Sequence, residues 1–186
     1  KDINVELNSI TPKPGDVLNI KTIISDQAGD LLSKGINIEI SNPDNEVEYR
    51  MTEVSDNIIE YKISEVAVPG VWKLKVVSGN LFTWKEFNVA EIKDKEVKLE
   101  GDMLIIRNIG NVDYEDDVTV DLTSDGKSYS IIRKTSLKPN QTISIDLTKE
   151  VPAGDYEYNV GGSAITGNVV LEKGVMELNK SKVTGY

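Results

Sequence analysis

Gly70-Val71-Trp72-Lys73-Leu74-Lys75-Val76 decides the fold. Trp72, Leu74 and Val76 occupy alternate positions, with Lys73 and Lys75 between them. A period of two puts the apolar residues on one face and the charges on the other, which is a strand buried on one side. The same alternation recurs at Leu18/Ile20/Thr22/Ile24, at Ile36/Ile38/Ile40 and at Ile59/Tyr61/Ile63. It appears again at Val118/Val120/Leu122, Ile143/Ile145/Leu147 and Tyr156/Tyr158/Val160. No segment longer than about ten residues reads better as a helix. The chain is therefore expected to be all-β.

Turn residues separate these runs at intervals of about 8–12 residues. Pro12-Lys13-Pro14-Gly15-Asp16, Asn42-Pro43-Asp44-Asn45, Ser78-Gly79-Asn80, Ser124-Asp125-Gly126 and Pro152-Ala153-Gly154 are the clearest. Such spacing suits antiparallel sandwiches. A near-repeat sets the domain count: Val68-Pro69-Gly70-Val71-Trp72 resembles Val151-Pro152-Ala153-Gly154-Asp155-Tyr156. In each copy a Pro and a Gly launch a strand with an aromatic on its inner face. Two sandwiches are expected, over residues 1–91 and 92–172. They meet in the short charged stretch Glu91-Ile92-Lys93-Asp94-Lys95. Residues 173–186 read as a tail or linker, with Val175, Met176 and Leu178 the residues able to add a short strand.

Composition narrows the chemistry. The 186 residues carry 21 basic and 31 acidic side chains, a net charge of −10, with neither Cys nor His. Disulfides, thiolate zinc sites, cysteine nucleophiles and imidazole-dependent triads are excluded. An acidic surface repels phosphate backbones, so no nucleic-acid partner is expected. The chain opens on Lys1 and contains no apolar run of membrane-spanning length. It reads as a fragment of a longer precursor, with any signal peptide or membrane tether outside it.

Ile10-Thr11-Pro12-Lys13-Pro14-Gly15-Asp16, Ser25-Asp26-Gln27-Ala28-Gly29-Asp30, Ile40-Ser41-Asn42-Pro43-Asp44 and Pro69-Gly70-Val71-Trp72 follow one another in the first half. That order resembles the immunoglobulin-like repeats of macroglobulin-type and other prokaryotic surface proteins. Asn108-Ile109-Gly110-Asn111, Val118-Thr119-Val120-Asp121-Leu122, Asp125-Gly126-Lys127, Leu137-Lys138-Pro139-Asn140 and Pro152-Ala153-Gly154-Asp155-Tyr156 carry the second half. They resemble the adhesion-related immunoglobulin-like domains of bacterial and archaeal envelope proteins, with Asn140 where that family usually has Gly. The resemblance implies two tandem immunoglobulin-like β-sandwiches, an extracytoplasmic setting and no catalytic residues. The thioester cysteine of macroglobulins is absent, which leaves protease trapping unsupported.

Three constellations stand out. Asp113, Glu115, Asp116 and Asp117 form the densest acidic cluster; calcium needs six to eight oxygens, and these residues compete between a cation site and a solvated loop. In Leu81-Phe82-Thr83-Trp84-Lys85-Glu86-Phe87-Asn88-Val89, a core role for Phe87 and Val89 turns Phe82 and Trp84 outward as a contact patch. A bulge flipping the parity would bury Trp84 instead. Asn140-Gln141-Thr142 and Asn179-Lys180-Ser181 fit the N-glycosylation pattern. No cofactor is expected, calcium aside. The expectation is a non-catalytic surface or secreted segment, a rigid spacer that binds a protein partner or a neighbouring surface subunit. The alternative is a carbohydrate-binding accessory module using the exposed aromatics.

Overall fold

The computed structural model describes residues 1–161 and 165–176. Contacts divide the chain into two compact units. One comprises Lys1–Lys93 with Gly110–Val112, the other Asp94–Ile109 with the residues from Asp113 onward.

The first unit contains β1 (Asp2–Leu7), β2 (Val17–Ser25), β3 (Gly35–Ser41), β4 (Val47–Val54), β5 (Ile58–Lys62), β6 (Gly70–Ser78) and β7 (Leu81–Val89). They form two antiparallel sheets, β1-β2-β5 and β4-β3-β6-β7. Ile3, Leu18, Ile20 and Ile59 of the first sheet bury against Ile36, Ile38, Trp72, Leu74 and Phe87 of the second. The alternation read from sequence is the alternation of burial: Trp72, Leu74 and Val76 are inside, while Lys73 is exposed.

The second unit contains β8 (Lys95–Glu100), β9 (Met103–Asn108), β10 (Asp117–Ser124), β11 (Lys127–Lys134), β12 (Thr142–Asp146), β13 (Gly154–Val160) and β14 (Thr166–Leu171). Its sheets, β8-β9-β12 and β11-β10-β13-β14, repeat the order of the first unit strand for strand. Three strands facing four, with this connectivity, make each unit an immunoglobulin-like sandwich. Asp125 and Gly126 both adopt positive φ in the two-residue turn between β10 and β11, the backbone that matches strand twist. Gly167 is needed for space: a Cβ there would lie 2.8 Å from the ring of Tyr158, its partner across the β13–β14 ladder. One short 3-10 helix, Leu147–Lys149, follows β12.

A single device opens the strand that each near-repeat launches. In β6, the third residue is Trp72, whose indole N–H donates to the Val68 carbonyl at 2.8 Å. In β13, the third residue is Tyr156, whose hydroxyl donates to the Pro152 carbonyl at 3.0 Å. Both reach back four residues and bury the aromatic body while satisfying its polar tip.

Buried asparagines tie down the irregular chain. Asn111, within the first unit, donates through Nδ2 to the carbonyls of Ala67 and Ala90 at 2.9 Å each, and its Oδ1 accepts from the Ile92 N–H at 2.7 Å. Asn108, in the second unit, donates to the Leu137 carbonyl at 2.8 Å. After β14, the Val175 N–H donates to the Val151 carbonyl at 3.1 Å, while Met176 is almost fully exposed. Leu178 lies outside the described residues.

Two predictions follow from local defects and caps. Thr22 is fully buried on the inner face of β2, and its hydroxyl has no hydrogen-bond partner among the described residues. Thr22→Val removes that desolvated oxygen and is expected to stabilise the protein by about 1 kcal/mol in urea unfolding. Asp146 caps the 3-10 helix, and hydrogen bonds from Thr148, then Lys149, hold its carboxyl below the usual range. Its folded pKa is lowered, so its contribution is present above the unfolded value of about 4 and is lost as pH falls through the folded value. Asp146→Ala is therefore expected to unfold earlier than the parent at neutral pH, with the gap closing in acid melts.

Candidate functional site

The outer face of the sheet β4-β3-β6-β7 is built by register. Arg50 lies opposite Glu39, Glu39 opposite Lys75, and Lys75 opposite Trp84, so one row crosses all four strands. The next row runs Thr52, Asn37, Val77, Phe82. The two end pairs of the charged row are in contact. Arg50 Nε lies 3.0 Å from Glu39 Oε2, and Lys75 Nζ lies 5.2 Å from the Trp84 ring centroid. In the second row, the Thr52 hydroxyl donates to Asn37 Oδ1 at 2.8 Å.

Phe82 and Trp84 end these rows on β7, and they are 64% and 53% exposed. Phe87 and Val89 of the same strand are buried, so the ordinary parity of an unbroken strand carries the two aromatics outward. A depression of 390 Å³ lies between the rows, lined among others by Asn37, Glu39, Arg50, Thr52 and Lys75. The face thus pairs apolar ring area with a carboxylate, a guanidinium, an amide, a hydroxyl and an ammonium group. That combination suits recognition of a ligand with flat apolar faces and polar edges. It provides no activated nucleophile.

The other sequence-derived sites are placed differently. Tyr114 turns inward and bridges Leu137, its N–H and C=O both engaged, while Asp113, Glu115, Asp116 and Asp117 around it are exposed. Burying the tyrosine splays its neighbours, and the four acids do not assemble as a cation cage. Among the described residues no group of three or more carboxylates is placed to hold a metal ion. Asn140 is exposed in a turn with φ of 69°, and its Oδ1 accepts from Arg107 Nε at 3.0 Å. Asn179 lies outside the described residues. A hollow of 1020 Å³ lies in the second unit beside Asp125, Lys127, Tyr129, Asp155 and Glu157. Among the described residues no helix is long and apolar enough to cross a membrane.

Sequence reasoning found Phe82 and Trp84 by parity, but missed Arg50, Glu39, Asn37 and Thr52. Strand order brings those residues beside the aromatics, and no local pattern announces strand order.

The class that this fold defines is a tandem pair of immunoglobulin-like sandwiches. No protein-family model matches the chain, and no curated protein matches it. Among solved structures, the chain is similar to a biofilm-associated protein BSP domain at 11% identity and a TM-score of 0.37, covering 94% of this chain and 30% of that one. It is similar to the native conformation of E. coli alpha-2-macroglobulin at 13% identity and a TM-score of 0.43, over 90% of this chain and 14% of that one. A two-domain fibronectin type-III segment of chicken tenascin matches at 13% identity and a TM-score of 0.38, over 90% of this chain and 97% of that one. At such values no functional argument follows from these likenesses.

The two tryptophans differ sharply in exposure, Trp72 at 2% and Trp84 at 53%. Acrylamide quenching of tryptophan fluorescence is expected to be strong in Trp72→Phe and severalfold weaker in Trp84→Phe. Equal quenching of the two variants would contradict the outward placement of Trp84.

Proposed function

We propose that this chain is a non-catalytic, extracytoplasmic segment of a surface or secreted protein. It separates the parts that flank it and engages a partner through the outer face of β4-β3-β6-β7. The observation that carries this reading is the pair of exposed aromatics at the end of an ordered polar row. Burial of large apolar side chains is the ordinary outcome for a strand in a sandwich; two exposed rings beside a charged row mark an interaction surface.

A carbohydrate-binding role is the second reading. It is favoured by the 390 Å³ depression, where Asn37, Glu39 and Arg50 offer hydrogen bonds, and whose lining residues Lys75 and Val77 lie opposite Trp84 and Phe82, rings able to stack on a sugar.

Fluorescently labelled chain is expected to bind intact cells of its source, and Phe82→Ala/Trp84→Ala to reduce that binding about tenfold with the melting temperature retained. Unchanged binding by the double variant would refute the assignment of this face. A glycan array separates the readings: a signal lost in Trp84→Ala supports carbohydrate, and cell binding without any array signal supports a protein partner.

A further inference from the structure

The strand that carries the aromatics is also a sheet edge. β7 pairs with β6 alone in its sheet. Ser78 and Leu81 close the two-residue hairpin between them, so their pair exchanges hydrogen bonds. Alternation along an antiparallel ladder then points the N–H and C=O groups of Phe82, Trp84 and Glu86 away from β6. The next residue in that series confirms the phase: the Asn88 N–H donates outward, to the Ile10 carbonyl at 2.8 Å. The Ala90 N–H does the same to Pro12 at 3.2 Å. The segment Ile10–Pro12 therefore covers the C-terminal end of the edge. Phe82, Trp84 and Glu86 have no backbone partner among the described residues. The residues with free backbone groups are those whose side chains face outward.

We infer that β7 accepts an extended acidic segment of a partner protein as an added strand, antiparallel to Phe82–Glu86. This deepens the proposed function, on whose choice of face it rests. Main-chain hydrogen bonds supply the docking and alternate side chains the selectivity. On the outer face, the added strand lays apolar side chains beside Phe82 and Trp84. On the inner parity it meets Lys85, an exposed lysine at the sandwich rim.

Charge selects the occupant. Lys73, Lys75 and Lys85 lie on β6 and β7 of an acidic chain, and none has an ion-pair partner among the described residues. β6 and β7 carry these three lysines and one carboxylate, Glu86, which lies opposite Lys73. Over a screening length of about 8–10 Å this local excess of positive charge, and not the distant net charge, weighs most at the edge. A carboxylate opposite Lys85 converts an edge-guarding charge into a selective one. A second copy of β7 fits poorly, because its inner-parity residues Leu81, Thr83, Lys85, Phe87 and Val89 include no carboxylate.

The test uses a synthetic peptide of four Val-Asp repeats, with a Val-Lys peptide as the charge control, followed by NMR of the full chain. Saturable binding of the Val-Asp peptide is expected, with slowed hydrogen exchange at the amides of Phe82, Trp84 and Glu86 and weaker binding of Val-Lys. Glu86→Pro deletes an edge N–H that makes no ladder bond, so binding should fall about tenfold while the fold persists. N-methylation of alternate peptide residues should have the same effect without altering the protein, which covers failure of the proline variant to fold. Absence of exchange protection at saturating peptide overturns strand addition. So does binding that Trp84→Ala abolishes while Glu86→Pro and N-methylation leave it intact, an outcome that keeps the face as a binding surface. Cell binding lost in Phe82→Ala/Trp84→Ala, with no peptide binding at all, likewise refutes the added strand and spares the broader function.

Discussion

The aromatic at the third position of β6 and of β13 fixes where each of these strands begins and which way it faces. Trp72 and Tyr156 each present a large apolar body and one donor. Burying the body favours the core; the donor then needs a partner inside it, and the carbonyl four residues upstream is the one within reach. Satisfying that constraint sets the phase of the strand. Once Trp72 faces inward, Leu74 and Val76 must follow, and Lys73 and Lys75 must face solvent. Phe87 stacks on Trp72 with centroids 6.0 Å apart, which places β7 in register. The exposed position of Trp84 is thus a consequence of the buried position of Trp72.

The face created in this way has a chemical character that the chain as a whole lacks. The chain as a whole carries a net charge of −10, which disfavours contact with phosphates. On β6 and β7, three lysines stand with exposed aromatic rings against a single acid, Glu86. Arg50 is held by Glu39, whereas Lys75 spends its charge on the Trp84 ring. Exposed contacts of this kind contribute little to stability. On the face proposed for binding, they hold side chains in an array that would lose less conformational entropy when a partner docks.

Much of the architecture was legible because a sandwich is written with a period of two. The apolar sets at Ile36/Ile38/Ile40, Val118/Val120/Leu122 and the others all line cores. Positive φ at Asp125 and Gly126 matches the turn their residue types foretold. Parity also told which way Phe82 and Trp84 face, because the β6–β7 register runs unbroken from Gly70 to Ser78 and no bulge intervenes. The acidic run from Asp113 to Asp117 was harder to read. Residue types alone left a cation site and a solvated loop both open; the inward turn of Tyr114, paired with Leu137, leaves the four acids exposed.

The sequence by itself determined the class of fold, the inner and outer faces of its strands and the exclusion of imidazole and thiol chemistry. These depend on local periodicity and on residue types, which each stretch of chain carries within itself. Only the tertiary structure decided what stands beside what. Asn111 meets the carbonyls of Ala67 and Ala90, Arg50 and Glu39 join Lys75 and Trp84 in one row, and β7 becomes an edge. Such neighbours are set by strand order and register between segments far apart in the chain, and the balance of burial over both sheets fixes that order, not any residue's own preference.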